Sequence, residues 1–333
     1  MKRLPGSRDK WKDGVRANLL NIFGLPRVEN SAGYFGIRHD MERAKTKDRQ
    51  TTTGTPSESL QSALVTLLAD DDPGVWEPIR QRLIDGGAGT LKWLRAHRLH
   101  RDPVARRRVR EVMEWLGRHA AEGAWDAFLS RQGEALDLEE GAWLFVRTRY
   151  PDAPVEAYQA QLDEWAGRLR EQMACASNGE QILERINRLL FGELGFRGNE
   201  ESYYDPANSY LNLVMDRRTG IPITLGIVYL LVSKRLSLPV TGIGMPGHFL
   251  CRYQTPREEH YIDAFHGGRL LTRAECVRRL RQFAIEPDES SLQPLGPRRI
   301  LHRMVSNLHL LHKDRRDPPE AERLQRYLAL LGR

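Results

Sequence analysis

The segment from Ile221 to Val232 limits the possible folds more than any other stretch of this sequence. Its twelve residues are apolar on nearly every face, broken by Pro222, Thr224 and Gly226. A helix that is hydrophobic all round is a buried helix, and this one is too short to cross a bilayer. Pro222 suits the first helical turn, where its missing N–H costs nothing, and Lys234 and Arg235 suit the last. Two strand-like runs follow: Thr241–Tyr253, carrying PGHFL, and His260–Phe265, carrying YIDAF. The turn-forming QTPREE lies between them, so a hairpin is expected. A four-residue loop at Gln254–Arg257 sets Tyr253 against Glu258 and His248 opposite Asp263. Directly opposed residues on one face come within side-chain reach. An imidazole oriented by a carboxylate is the base half of a catalytic triad. A structural His–Asp pair is the plainer alternative, and a register one step off would separate the two.

The order of buried helix, strand bearing His and strand bearing Asp resembles the transglutaminase-like, papain-related core. More closely, YLNLVMDRRTGIPITLGIVYL, MPGHFLCRY and YIDAFHGG, preceded by FGELGFRGNEESYYDPANSYLN, resemble the SirB group of bacterial transglutaminase-like proteins. The resemblance runs from about Ile182 to Arg279 and implies that His248 and Asp263 match the family's His and Asp. In the superfamily a Cys at the helix start is the nucleophile. Here Ile221, Pro222, Ile223 and Thr224 stand at that place, as the SirB group's own lack of a thiol implies. A Thr hydroxyl needs an adjacent base to attack. Thr224 is a candidate nucleophile with His248 as that base, against the plainer role of a helix-start hydroxyl bonded to backbone.

The three cysteines offer no obvious substitute. Cys251 lies three residues from His248 on the expected strand and so on its opposite face. Cys276 sits in the helix-like TRAECVRRLRQ, and Cys175 precedes the core. Their spacing fits neither a disulfide framework nor a zinc site. Without an early apolar run or a long apolar stretch, a soluble, reducing compartment such as the cytoplasm is expected. No Walker-type loop or dinucleotide fingerprint is present, so no cofactor is expected.

The net charge of +7 invites a nucleic-acid reading, yet residues 1–54 hold 12 Lys and Arg against 6 Asp and Glu. The remainder is close to neutral. That tail reads as disordered, able to contact nucleic acid or an acidic partner, or as an over-extended start with Met41 as initiator. Thr55-Pro-Ser-Glu58 reads as a capping box. Beyond it, two helix pairs hinged at Asp72-Pro73 and Asp102-Pro103 resemble HEAT-type repeats over 55–175. Within them, the arginines of Arg106–Arg110 are expected on a solvated face. The core is expected at 176–288, and a tetratricopeptide-like helical hairpin at 289–333. His302, His309 and His312 near one face of that hairpin lack the partners of a metal site.

Just upstream of the buried helix, Tyr204, Asn208, Tyr210, Asn212, Arg217 and Arg218 crowd polar groups together. Asn208, Tyr210, Asn212, Arg217 and Gly247 are candidates for lining a cleft beside His248, with the arginines pairing a carboxylate. The plainer alternative is that Asn208 and Tyr210 stabilise turns and Arg217 and Arg218 lie at the surface. The expected fold is α+β and mostly helical, with a small antiparallel sheet. Two functions stay open, of which the missing thiol favours the first. One is a papain-like cleft that binds a peptide or protein partner without catalysis. The other is a hydrolase or acyl transferase in which His248 and Asp263 serve water, Thr224 or a substrate group as nucleophile.

Overall fold

The computed structural model describes residues 55–131, 136–173, 176–282 and 291–332. The basic tail and Cys175 lie outside them. The chain divides into two compact units, 1–117 and 118–333. The division falls inside a helix.

The first unit is helical: α1 (Glu58–Leu68), α2 (Pro73–Asp85), α3 (Gly87–Leu94) and the start of α4 (Pro103–Leu129). Leu64, Leu68, Ile79, Leu83, Leu94, Val109 and Val112 form its core. The helix start read at Thr55 is capped two residues later, by Ser57, whose Oγ accepts from Leu60 N–H at 3.4 Å. At the Asp-Pro hinges Asp72 and Asp102 accept from the amides of Gly74 and Val104. Arg108 departs from the solvated face expected of the arginine run. Its guanidinium donates to the carbonyls of Leu68 (2.8 Å) and Asp70 (2.7 Å), and lies 4.2 Å from the Trp76 ring centre. The end of α1 leaves carbonyls without helical partners, and this arginine supplies the donors.

In the second unit, α5 (Leu138–Arg149), α6 (Val155–Met173), α7 (Gly179–Asn187), α8 (Leu211–Arg217) and α9 (Pro222–Arg235) precede the main sheet. Helix α9 is the buried apolar segment, with every residue from Pro222 to Ser233 buried. It shares a core with Trp125, Phe128, Trp143, Phe145, Leu162 and Tyr327. Its basic last turn is held from outside: Arg235 pairs with Glu139 at 2.7 Å and Asp163 at 2.5 Å, and Lys234 with Asp137 at 2.5 Å. A short parallel pair, β1 (Arg197–Gly198) and β2 (Thr219–Gly220), ties down the segment before it.

The main sheet contains β3 (Val240–Met245), β4 (His248–Gln254), β5 (Glu259–Asp263), β6 (Arg269–Leu271) and β7 (Pro294–Leu295), in the order β6-β5-β4-β3-β7. All neighbours are antiparallel. The single strand expected over Thr241–Tyr253 is thus two strands. Pro246 and Gly247 close a two-residue turn between them, with Gly247 at φ +62°. Pro followed by a residue of positive φ is the type II turn pattern, and the Pro-Gly pair is its signal in the sequence.

The β4–β5 register also differs from the expected one. Tyr253 pairs with His260, not Glu258, and the connection is Thr255–Glu258. Thr255 Oγ accepts from the amides of Arg257 and Glu258, which sets the turn one residue further along. The slip is two positions, so side chains keep their faces.

Helix α9 packs on one side of the sheet through Gly226, where an added Cβ would lie 2.5 Å from the Phe249 ring. Phe249, Cys251 and Ile262 join the α9 core on that side. Leu250 and Tyr261 alternate to the other side and cluster with Cys276 and Leu280 of α10 (Arg273–Gln282). Two antiparallel helices follow, α11 (Pro297–Asp314) and α12 (Pro318–Leu331). The histidines of α11 have separate partners: His302 meets Ser306, His309 the Ala321 carbonyl, and His312 Asp317.

Candidate functional site

His248 is the first residue of β4 and Asp263 the last of β5. In the observed register they are diagonal neighbours on one face, still within reach. His248 Nε2 lies 2.8 Å from Asp263 Oδ1. The carboxylate is fully buried and takes further bonds. The turn Ala264–His266 brings His266 Nδ1 to 2.9 Å from Oδ2 and its main-chain amide to 3.3 Å from Oδ1. From α10, Arg279 donates to Oδ2 at 2.9 Å. Burial alone would raise the Asp263 pKa. The His248 hydrogen bond and charge, with Arg279 and His266, override it and hold the group far below the usual carboxylate range. At neutral pH Asp263 is therefore held as the anion.

Rings surround this cluster. Phe265 meets both histidines edge-on, with ring centres 6.1 Å from His248 and 5.1 Å from His266. Tyr203 packs edge-on against Phe265, and the exposed Tyr204 against Tyr203. From α11, Arg303 donates to the carbonyls of Met245 and His248, clamping the turn that contains Gly247.

The other candidate residues are placed differently. Thr224 is fully buried at the start of α9. Its Oγ1 donates to the Asn208 carbonyl at 2.8 Å and accepts from Ile221 N–H at 3.2 Å. Asn208 is buried too, bridging Asn199 and the carbonyls of Ser202 and Tyr203. Tyr210 stacks on Phe145 with ring centres 5.4 Å apart, in the core, and burial drives its pKa upward. Asn212 is buried, and its Oδ1 has no hydrogen-bond partner among the described residues. Arg217 is exposed and pairs with Asp205 at 2.9 Å. Arg218, expected at the surface or in the cleft, adopts φ +56° and lies 4.8 Å from the ring centres of Trp165 and Phe196. None of Asn208, Tyr210, Asn212 or Arg217 hydrogen-bonds to His248 or Asp263 among the described residues. The thiols of Cys251 and Cys276 are buried and pushed up, that of Cys276 to about 12. Neither is a ready nucleophile.

Sequence reasoning passed over His266, Arg279 and Arg303. His266 carried a signal, standing three residues after Asp263, a spacing that a single helical turn brings together. Arg279 and Arg303 carried none, because their positions depend on how α10 and α11 dock. His248, Asp263 and His266 are also donor types that hold divalent cations, their ligand atoms within 4.8 Å of one another. Arg279 already supplies the positive charge at Oδ2, however, and four hydrogen bonds occupy the carboxylate. The arrangement is that of an internally neutralised carboxylate.

A buried helix, an antiparallel sheet and a His–Asp pair on adjacent strands define a transglutaminase-like core, and residues 156–306 match the family model of the Transglutaminase-like superfamily. A UPF0162 protein of Xylella fastidiosa (strain 9a5c) is 36% identical over 194 residues, 56% of this chain and 69% of that protein. A UPF0162 protein of Pseudomonas aeruginosa is 30% identical over 57% of this chain and 69% of its own length. The chain belongs to the UPF0162 family. F-box only protein 21 of Mus musculus is 36% identical over 141 residues, 40% of this chain but 22% of that protein. No solved structure matches the chain. Among the described residues no helix is long and apolar enough to cross a membrane.

Proposed function

We propose that this protein is a hydrolase or acyl transferase that works without a thiol. In this reading His248, oriented by Asp263, draws a proton from water or from a substrate group as that nucleophile attacks an acyl carbon. The observation that carries the reading is Asp263: a fully buried anion held by two histidines and an arginine from three separate segments. Burying a charge is costly, and perturbed carboxylates with specific partners cluster at functional sites. Water fits the nucleophile better than Thr224, whose hydroxyl proton is engaged by the Asn208 carbonyl. The same inference extends to the SirB group, with HEAT-like N-terminal helices, a tetratricopeptide-like α11–α12 hairpin and a cytoplasmic setting that suits buried, unpaired thiols.

A second reading, a cleft that binds a peptide or protein partner without catalysis, is favoured by one observation. At the start of α9, where the superfamily places its nucleophile, the side chains are buried and the only hydroxyl is committed to backbone. The two readings are separated by assaying the full chain and His248→Ala against peptide p-nitroanilides, glutamine amides and acyl p-nitrophenyl esters. Loss of a general base lowers turnover by about 10²–10⁴-fold, read well below the variant's melting temperature, which falls because the buried Asp263 loses a partner. Turnover that survives in His248→Ala rejects the catalytic role.

A further inference from the structure

The reading above uses one imidazole, while Asp263 holds two. We propose that His266 is the second proton-transfer residue of the site, giving a proton to the leaving group while His248 takes one from the attacking water. The catalytic role rests on the hydrolase reading; the coupling between the histidines does not.

An anionic carboxylate accepts hydrogen bonds and cannot donate, so each ring nitrogen facing it carries the proton. His248 therefore holds its proton on Nε2 and His266 on Nδ1, leaving lone pairs on His248 Nδ1 and His266 Nε2. The ring centres are 5.6 Å apart. Charging both rings would set two imidazolium ions side by side, next to the Arg279 guanidinium, with one carboxylate to balance three cations. The groups around them offer no relief. Cys276 and Arg279 face Asp263 from α10, Arg303 binds the His248 carbonyl from α11, and Tyr203 lies against Phe265. Asn187, from α7, is neutral and donates to the Gly268 carbonyl. Asp263 is the one carboxylate bonded to either ring among the described residues. In the proposed pair one ring is charged and the other neutral, and two like groups in different states serve as acid and base. The side chains are 19% and 48% exposed for His248 and His266, so solvent best supports the charge on His266.

The step then balances. The water oxygen bonds to the acyl carbon as its proton passes to His248 Nδ1. The bond from that carbon to the leaving nitrogen or oxygen breaks as His266 Nε2–H protonates the departing atom. His248 returns its proton to solvent and His266 takes one, so one water is consumed per acyl bond cleaved.

The full chain labelled with [¹⁵N]histidine provides the first test, by NMR titration. His248 should follow a two-step curve in the wild type and a single step in His266→Gln; independent single steps in the wild type overturn the pair. The second readout is leaving-group dependence. His266→Gln should lower kcat on amides by about 10²–10⁴-fold, and on p-nitrophenyl esters, whose leaving group departs unprotonated, by less than about tenfold. Equal losses on both overturn the assigned role and leave the hydrolase reading standing. Wild-type chain that turns over neither class removes both.

Discussion

Thr224 and Asp263 are both polar and both fully buried, yet they are stabilised in opposite ways. Thr224 is neutral, and its hydroxyl is satisfied by main-chain groups of Asn208 and Ile221. Any sequence that starts a helix here needs such a bond, so its partners explain its presence. Asp263 is charged and is satisfied mainly by side chains gathered from β4, the following turn and α10. A well-packed apolar side chain would fill that space at lower desolvation cost. The difference teaches where to look for chemistry: in the buried group whose partners the fold does not require.

The largest test of that contrast is Asp263→Ala. Removing one side of a buried charged cluster costs about 3–5 kcal/mol, read as a lower urea midpoint at pH 7. The pH dependence follows from the sign of the shift. The folded carboxyl is depressed below its ordinary value of 3.8, so its contribution is complete above that value and is lost as the pH falls towards the folded one. Wild type should lose stability more steeply than Asp263→Asn between about pH 5 and pH 2. Parallel acid profiles would mean that the cluster does not hold Asp263 charged.

Thr224→Val comes next. It leaves Ile221 N–H and the Asn208 carbonyl without their partner, at about 1–3 kcal/mol, with recovery in Thr224→Ser. Any activity found should survive in Thr224→Val once stability is allowed for. Loss of turnover at full folding would make Thr224 a nucleophile and erase the contrast. Smallest is Arg217→Ala, which breaks an exposed pair with Asp205 and should change stability by about 0.2–1 kcal/mol. A larger loss, or a specific loss of ligand binding, would return Arg217 to the cleft.

Much of the scaffold was legible because local chemistry set it. The unbroken apolar face of Ile221–Val232 required a buried helix, and the Asp-Pro hinges marked helix starts. The meeting of His248 and Asp263 is legible even with a register two residues off, since such a slip preserves the face. A slip of one would have hidden them. For Asn208 and Tyr210 the sequence leaves a cleft role and a turn-stabilising role side by side, because polar groups near a motif suit both. The structure shows Asn208 folding its own loop and Tyr210 stacked on Phe145. Arg279 and Arg303 could not be read at all, because a guanidinium's target is set by which helix docks beside it.

The α11–α12 hairpin also bears on the order in which this unit assembles. Arg303 grips the β3–β4 turn across 58 residues of sequence, and Arg298 reaches the Arg131 carbonyl across 167. On α12, Tyr327 closes against Trp125. Contacts so distant in sequence carry the loop-closure cost before they stabilise anything, so they form late. His248 and Asp263 leave the ribosome well before Arg303 does. During synthesis the paired strands must wait, their turn unclamped, until the final helices arrive to complete the site.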